Sequence, residues 1–513
     1  MPLAFLATML VLPALRLLLE GQAGFNQPLW TALWQDDYLQ GRLAWSVLQA
    51  AVSCALVLAL GLPVAWVLAR FEFAGRSWVL RLLMLPFVMP TLVAALGVLA
   101  LWGPRGVWAQ WLGVDAQGTP WLLLYGNVFF NLCLLVRAGV DGLMQVSASQ
   151  LAAARSLGAS PWRAFWRVEW PAAKPWLASA LCLVFLYCFS GFGLALILGG
   201  QKYGTLEVEI YTLVAYELKL AEASVLAFVC MAITAAAALA YTLQEQRLSL
   251  PMPVDAIALR KPVGLAQQAW LMLALGILAC VCVAPIAAIA FKVAHASGAA
   301  WFVLIEDNTL HALWNTVRFS VMAVALATVL GLAHALAARR SLWLRAAAFL
   351  PFVVSPVAIA FGLLLLYPRW SASLPLLIAA YALLAYPFIA KSLSSALDSL
   401  PAHWLHAAAT LGASPWRCFW RITWPLIQPA LRRGVGFAAA ACLGEFAVSL
   451  FLSRPEWATL TTLIYQHLGR PGAANLEAAW VLSSLLMGLA LLAFVLLDQS
   501  CPNRPLEPHH ARS

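Results

Sequence analysis

The chain is 513 residues long, 63% hydrophobic and only 10% charged, with a formal net charge of +10. A soluble domain carries about 25% charged residues, so this composition excludes a water-soluble globule and places the chain in the lipid bilayer as an integral membrane protein. The positive charge comes from Lys and Arg scattered through short loops, with no basic run, which excludes nucleic acid as a partner and reads as topology-setting charge.

A spanning helix takes about 20 mostly apolar residues. The expected fold is all-α, with about 12 transmembrane helices. Six fall at 2–19, 43–68, 82–102, 121–140, 177–198 and 223–243, and six more at 267–291, 314–337, 346–367, 373–393, 434–453 and 477–497. The first lacks a basic leading region and carries Arg16 late, so it reads as a retained span and not a cleaved signal. With the N-terminus in the cytoplasm, loops on that side hold 21 Lys and Arg residues, Arg70, Arg163 and Arg417 among them, against 8 on the other. An even number of spans with both termini cytoplasmic satisfies the positive-inside rule. The ten cysteines lie almost all in apolar runs without metal-ligand or CxxC spacing, and read as small hydrophobic residues.

The loop after the fourth span is the most structured of the connections. Ser147 or Ser149 is placed to cap a short helix, and Gly158 to end it in a left-handed conformation. Ser160 and Pro161 restart a helix, Ser as N-cap and Pro at the first position. Trp162, Phe165 and Trp166 share one face at i, i+3, i+4 spacing, Arg163 and Arg167 make another, and Pro171 and Pro175 are expected to end the helix.

This loop occurs twice. Residues 157–171, LGASPWRAFWRVEWP, return 254 residues later as LGASPWRCFWRITWP at 411–425, with 12 of 15 positions identical. Pro86-Phe87-Val88 returns as Pro351-Phe352-Val353, and Gly97 as Gly362, at an offset of 265. Six spans separate the copies, so both loops face the same side, the cytoplasm by the charge count. The pattern is a parallel repeat. It divides the chain into two homologous six-helix halves, 1–243 and 267–500, a cytoplasmic linker at 244–266 and a cytoplasmic tail at 501–513. An amphipathic helix resting on lipid explains one such loop. Near-identity of two copies is better explained by docking to the same kind of partner.

The two loops resemble the EAA loop of binding-protein-dependent ABC importer permeases, roughly E-A-A-x-x-x-G followed by an apolar stretch and Pro. The matching residues are Ala153, Ala154, Gly158 and Ala159 in one copy, and Ala407, Ala408, Gly412 and Ala413 in the other; Ala152 and His406 stand where the family has Glu. The resemblance implies a type I permease fold in the inner membrane of a bacterium. It makes these eight residues the coupling sites for two copies of an ABC ATPase subunit, with a periplasmic substrate-binding protein delivering a small-molecule substrate. The fused twelve-span arrangement is similar to the thiamine and iron(III) permeases of this superfamily. Stretches such as WQDDYL at 34–39, VEWP at 168–171 and TLEVEIY at 205–211 look most like the thiamine (and thiamine pyrophosphate) permeases. No G-x-x-x-x-G-K-[ST] phosphate loop occurs. The chain is expected to be a transport subunit without cofactors and not an enzyme, ATP being hydrolysed by a separate subunit.

Glu445, in AACLGEFAVSLF, falls near the middle of the eleventh span, where an ionisable residue marks function by default. Its first-half counterpart is Gly191. Two readings stay open: it faces the substrate path and attracts a cation, or its carboxyl is satisfied by backbone and nearby Ser. Asn127 and Asn131 read as hydrogen-bond partners between helices, and Glu207 and Glu209 as a solvated face of an outside loop. An iron(III) importer permease is the nearer alternative. A twelve-span secondary transporter also has two six-span halves, but it needs no paired docking loop.

Overall fold

The computed structural model describes residues 2–25, 34–245 except 201, and 257–497 except 339–343, 345–346, 349, 354, 372 and 401. Each expected span overlaps a helix among the described residues. In chain order these are α1 Pro2–Gly21, α2 Asp37–Arg70, α3 Thr91–Leu112, α4 Pro120–Leu143, α5 Pro161–Phe189, α6 Leu220–Gln244, α7 Leu265–Ala294, α8 Asp307–Ala338, α9 Pro356–Leu366, α10 Leu374–Asp398, α11 Trp424–Leu443 and α12 Ala473–Leu496. Ten of them are long and apolar enough to cross a membrane; α9 and α11 are not among these. Helix α9 has only 11 residues, and α11 carries Arg432 and Arg433. Among the described residues the one pairing of extended backbone is an isolated bridge between Phe71 and Arg260. Glu72 N–H donates to Arg260 O at 2.9 Å and Arg260 N–H to Arg70 O at 3.1 Å, so this end of the linker lies along the loop after α2. Linker residues 246–256 and the tail at 501–513 lie outside the described residues.

The expectation that Pro171 and Pro175 end the loop helix does not hold. The helix runs on from Pro161 to Phe189, and the fifth span starts well before residue 177. A π-turn at Phe165–Glu169 closes with Trp170 N–H on Phe165 O, on the residue before Pro171. This wide turn gives the pyrrolidine ring room where an α-turn would press it against the carbonyl four residues back, and the proline nitrogen has no hydrogen bond to lose. The same device recurs at Phe419–Thr423 before Pro425, at Ala7–Val11 before Pro13, and at Ala279–Val283 before Pro285. Helix α11 likewise begins ten residues before the expected 434.

The π-turns of α1 and α7 also tie the two halves together. A π-turn leaves a carbonyl outside the regular ladder, and that group needs a donor. Thr8 O accepts from the Tyr367 hydroxyl at 3.1 Å, and Cys280 O from the Tyr125 hydroxyl at 2.6 Å. Each donor belongs to the opposite half. Accordingly α1 packs on α9 as well as α6, and α7 on α2 and α3 as well as α12. The repeated glycines make this contact possible. A Cβ on Gly97 would lie 3.1 Å from Pro285 O, and one on Gly362 3.0 Å from Pro13 O. The first helix of each half is thus seated on the other half.

Candidate functional site

The two repeated loops share their left-handed glycine, one cap hydrogen bond and the serine that starts the next helix. In the first, Ser147 Oγ accepts from Gln150 N–H at 3.5 Å and opens the helix Ala148–Ser156. Gly158 adopts φ +78°, a left-handed conformation that side chains other than Gly enter at a cost. Gly158 N–H then reaches Arg155 O at 2.9 Å and Ala159 N–H reaches Ala154 O at 3.0 Å, the pair of bonds that closes a Schellman cap. Ser160 Oγ accepts from Arg163 N–H at 3.4 Å and starts the next helix. In the second loop Gly412 has φ +76°, Ala413 N–H reaches Ala408 O at 3.0 Å, and Ser414 Oγ accepts from Arg417 N–H at 3.4 Å. Ala153 and Ala407 are exposed, while Ala154, Ala159, Ala408 and Ala413 are half-buried. The eight small residues therefore build two matching elbows.

Each elbow presents a leucine. Leu157 and Leu411 are each 88% exposed, an arrangement that costs about 25 cal/mol for every Å² of apolar surface left in water. Sequence reading passed over them, although leucine precedes glycine in both copies. Behind each runs an aromatic ladder. Trp162, Trp166 and Trp170 have successive centroids 5.6 and 5.3 Å apart, and Trp416, Trp420 and Trp424 have both at 5.5 Å. The first elbow is also anchored by a buried ion pair, Arg70 Nε to Glu169 Oε1 at 3.4 Å, with Trp66 Nε1–H donating to Glu169 Oε2 at 2.9 Å. The second copy has Thr423 in place of Glu169.

Between the halves lies a cavity of about 230 Å³, walled by Phe87, Tyr187, Phe388 and Phe437 and bearing Glu445. A second cavity, of about 330 Å³, shares those four rings and continues toward Tyr241, Lys391 and Arg433. The second already falls within the size of ligand pockets, about 300–1,000 Å³. Lys391 is hydrogen-bonded to the Tyr241 hydroxyl. Glu445 is not inside a continuous helix. It sits in a break between α11, which ends at Leu443, and the short helix Ala447–Leu452. The first half breaks at the aligned place, Ser190–Gly191. Glu445 Oε1 accepts from Val448 N–H at 3.0 Å. The carbonyl that the break exposes, Glu445 O, accepts from Thr461 Oγ1 at 3.0 Å. The carboxyl thus caps a helix turn, and Glu445 also lines the cavity.

Beside Glu445, Phe192 and Phe446 stack with centroids 5.9 Å apart and planes 20° apart. Tyr211 meets Phe192 at 5.5 Å and Tyr465 meets Phe446 at 5.2 Å. Extending the 254-residue offset past the loop would have pointed to all four. The other polar residues divide. Asn127 Nδ2–H donates to Gln49 Oε1 at 2.7 Å and to Ser53 Oγ at 3.1 Å, as interhelical partners should. The solvated face expected for Glu207 and Glu209 is not found. Both are buried in the helix Leu206–Thr212. Glu209 accepts from the Tyr38 hydroxyl at 2.9 Å and lies 3.6 Å from Arg42 Nε. Glu207 is fully buried, and the loss of water around it pushes its carboxyl up to about 8.

The sequence profile of the family described as binding-protein-dependent transport system inner membrane component matches residues 58–250 and 323–500. A thiamine transport system permease protein, ThiP, of Haemophilus influenzae is 28% identical over 495 residues, covering 91% of this chain and 90% of that protein. The ThiP of Escherichia coli is 27% identical over 494 residues, 92% and 90% of the two chains. That of Brucella abortus is 29% identical over 528 residues, 98% and 94%.

Proposed function

Since the chain belongs to the family of inner-membrane components of binding-protein-dependent transport systems, we propose that it is the permease through which thiamine, or thiamine pyrophosphate, enters the cell. The observation that carries the substrate is the match to thiamine permeases along about 90% of both chains. A multi-pass permease of this family is a transport subunit and not an enzyme. Its energy comes from outside the chain.

In this reading two copies of an ABC ATPase subunit sit on the two elbows. The exposed Leu157 and Leu411 enter their surfaces, and Ala153, Ala154, Gly158 and Ala159, with Ala407, Ala408, Gly412 and Ala413, set the shape of the fit. Small residues let backbone approach backbone, so docking rests on shape and on buried leucine, without the family's Glu at Ala152 and His406. A periplasmic binding protein delivers substrate at the opposite face. Residues 1–243 and 267–500 act as the two halves, 244–266 joins them on the cytoplasmic side, both termini are cytoplasmic, and 501–513 is a tail. ATP-driven closure of the ATPase pair pulls the elbows together and the halves rock about the axis between them. Glu445 lies on the path and offers a carboxylate to a cation.

The test is uptake of labelled thiamine, with labelled ferric iron in parallel, in cells with and without the gene. Loss of thiamine uptake alone on deletion supports the reading. Loss of iron uptake alone would keep the permease and overturn the substrate.

A further inference from the structure

We propose that Phe192, Phe446, Tyr211 and Tyr465 form the outer gate of this path, and that the same rings, with Glu445, are the first position an aromatic organic cation occupies inside the membrane. The inference deepens the function proposed above and rests on its placing the path between the halves.

Symmetry locates the gate. Phe192 and Phe446 are equivalent under the 254-residue repeat, as are Tyr211 and Tyr465. Equivalent residues touch each other only where the repeat axis passes between them. Phe192 and Phe446 are stacked, so they sit on the axis along which the halves separate. Tyr211 also meets Phe451 of the other half, with ring centroids 5.5 Å apart, and Tyr216 stands beside it at 5.7 Å. The Phe192–Phe446 and Tyr211–Phe451 contacts join one half to the other, and a rocking motion breaks both together.

Chain order supplies the side. The elbows precede α5, whereas the helix Leu206–Thr212 follows it, so Tyr211 and the elbows lie at opposite ends of the path. Phe192 and Phe446 are in the cavity wall next to Glu445, and Lys391 and Arg433 are at the far end. With the stack closed the path is shut at the end away from the ATPases.

Chemistry supplies the ligand class. An aliphatic plug would shut the path equally well, but aromatic faces carry negative charge density and attract a cation placed over them. When the stack parts, ring-ring contact is exchanged for ring-cation contact, which keeps the open state close in energy to the closed one for this class of solute and not for an anion. Glu445 supplies the counter-charge. Among the described residues no cation pairs with it, and one of its oxygens is held by Val448 N–H. The break that seats the carboxylate also sets Phe446 as the next residue, so charge and gate ring move together.

The test uses the full-length chain assembled with its ATPase and binding protein in right-side-out membrane vesicles. The exposed Cys280 is first replaced by Ser, and Ala441→Cys is placed in the cavity wall. A membrane-impermeant thiol reagent added outside is expected to label this cysteine slowly. Adding Phe192→Ala and Phe446→Ala should speed labelling at least tenfold, and thiamine with its binding protein should slow labelling unless Glu445→Gln is present. As a second arm that does not require the alanine variant to fold, Phe192→Cys with Phe446→Cys joined by a short reducible cross-linker should stop uptake, and dithiothreitol should restore it. Unchanged labelling in the alanine variant, or full uptake by the cross-linked protein, overturns the gate whatever the substrate is. Faster labelling with no thiamine protection in any variant keeps the gate and overturns the cation site.

Discussion

At the scale of single residues, the glycine elbows and one buried acid make the sharpest predictions. A Cβ at Gly158 or Gly412 meets nothing within the chain itself, so inside the protein substitution acts through the positive φ, at about 1–2 kcal/mol for a β-carbon in the left-handed region. Gly158→Val and Gly412→Val are expected to leave insertion intact and to lower ATP-driven uptake severalfold, while Gly158→Asn, which tolerates that conformation, retains most of it. Uptake and membrane abundance measured together check this. Glu207 predicts a pH dependence. From its ordinary value of 4.5 up to about 8, the folded protein holds a proton that the unfolded chain has lost. Its contribution to stability therefore falls as pH rises through that window. Glu207→Gln should raise the melting temperature near pH 8 and flatten the decline from about pH 5, and an unaltered slope would contradict the assignment. The elbows were legible because capping chemistry is local: Ser160, Pro161 and Gly158 announce their own backbone. The burial of Glu207 was not, because it depends on how the helix Leu206–Thr212 packs under distant parts of the chain.

At the scale of elements, the spans were readable from apolarity and their ends were not. Pro171 and Pro425 look like stops in a sequence, yet each follows a π-turn that carries the helix past it. Hydrogen bonding five residues apart leaves no periodic signature over a single turn. The free carbonyls of the other two π-turns make a measurable link. Tyr367→Phe and Tyr125→Phe should each cost about 0.5–1.5 kcal/mol, seen as lower melting temperatures in detergent, although both residues are far from the elbows in sequence. The first elbow is more sensitive. Glu169→Ala leaves Arg70, 1% exposed, buried without its partner, a change that costs about 3–5 kcal/mol. Adding Arg70→Met should recover most of that loss. A Glu169→Ala protein as stable as the parent would show that the ion pair does not hold the elbow to α2.

At the scale of the whole molecule, the repeat showed two halves but not how they fit. Sequence similarity relates α1 to α7; it does not say that each lies on the other's half. That exchange follows from Gly97 and Gly362, where missing side chains admit Pro285 and Pro13. In the function proposed above, motion centres on the axis, with the elbows at one end and the Phe192–Phe446 stack at the other. The most direct measurement is ATP hydrolysis in proteoliposomes holding the chain, its ATPase and its binding protein. Adding thiamine is expected to raise hydrolysis and drive accumulation in the parent, and Gly158→Val with Gly412→Val should abolish both responses while the ATPase alone stays active. Thiamine accumulation without ATP, or a full response in the doubly substituted protein, would contradict an importer driven through its two elbows.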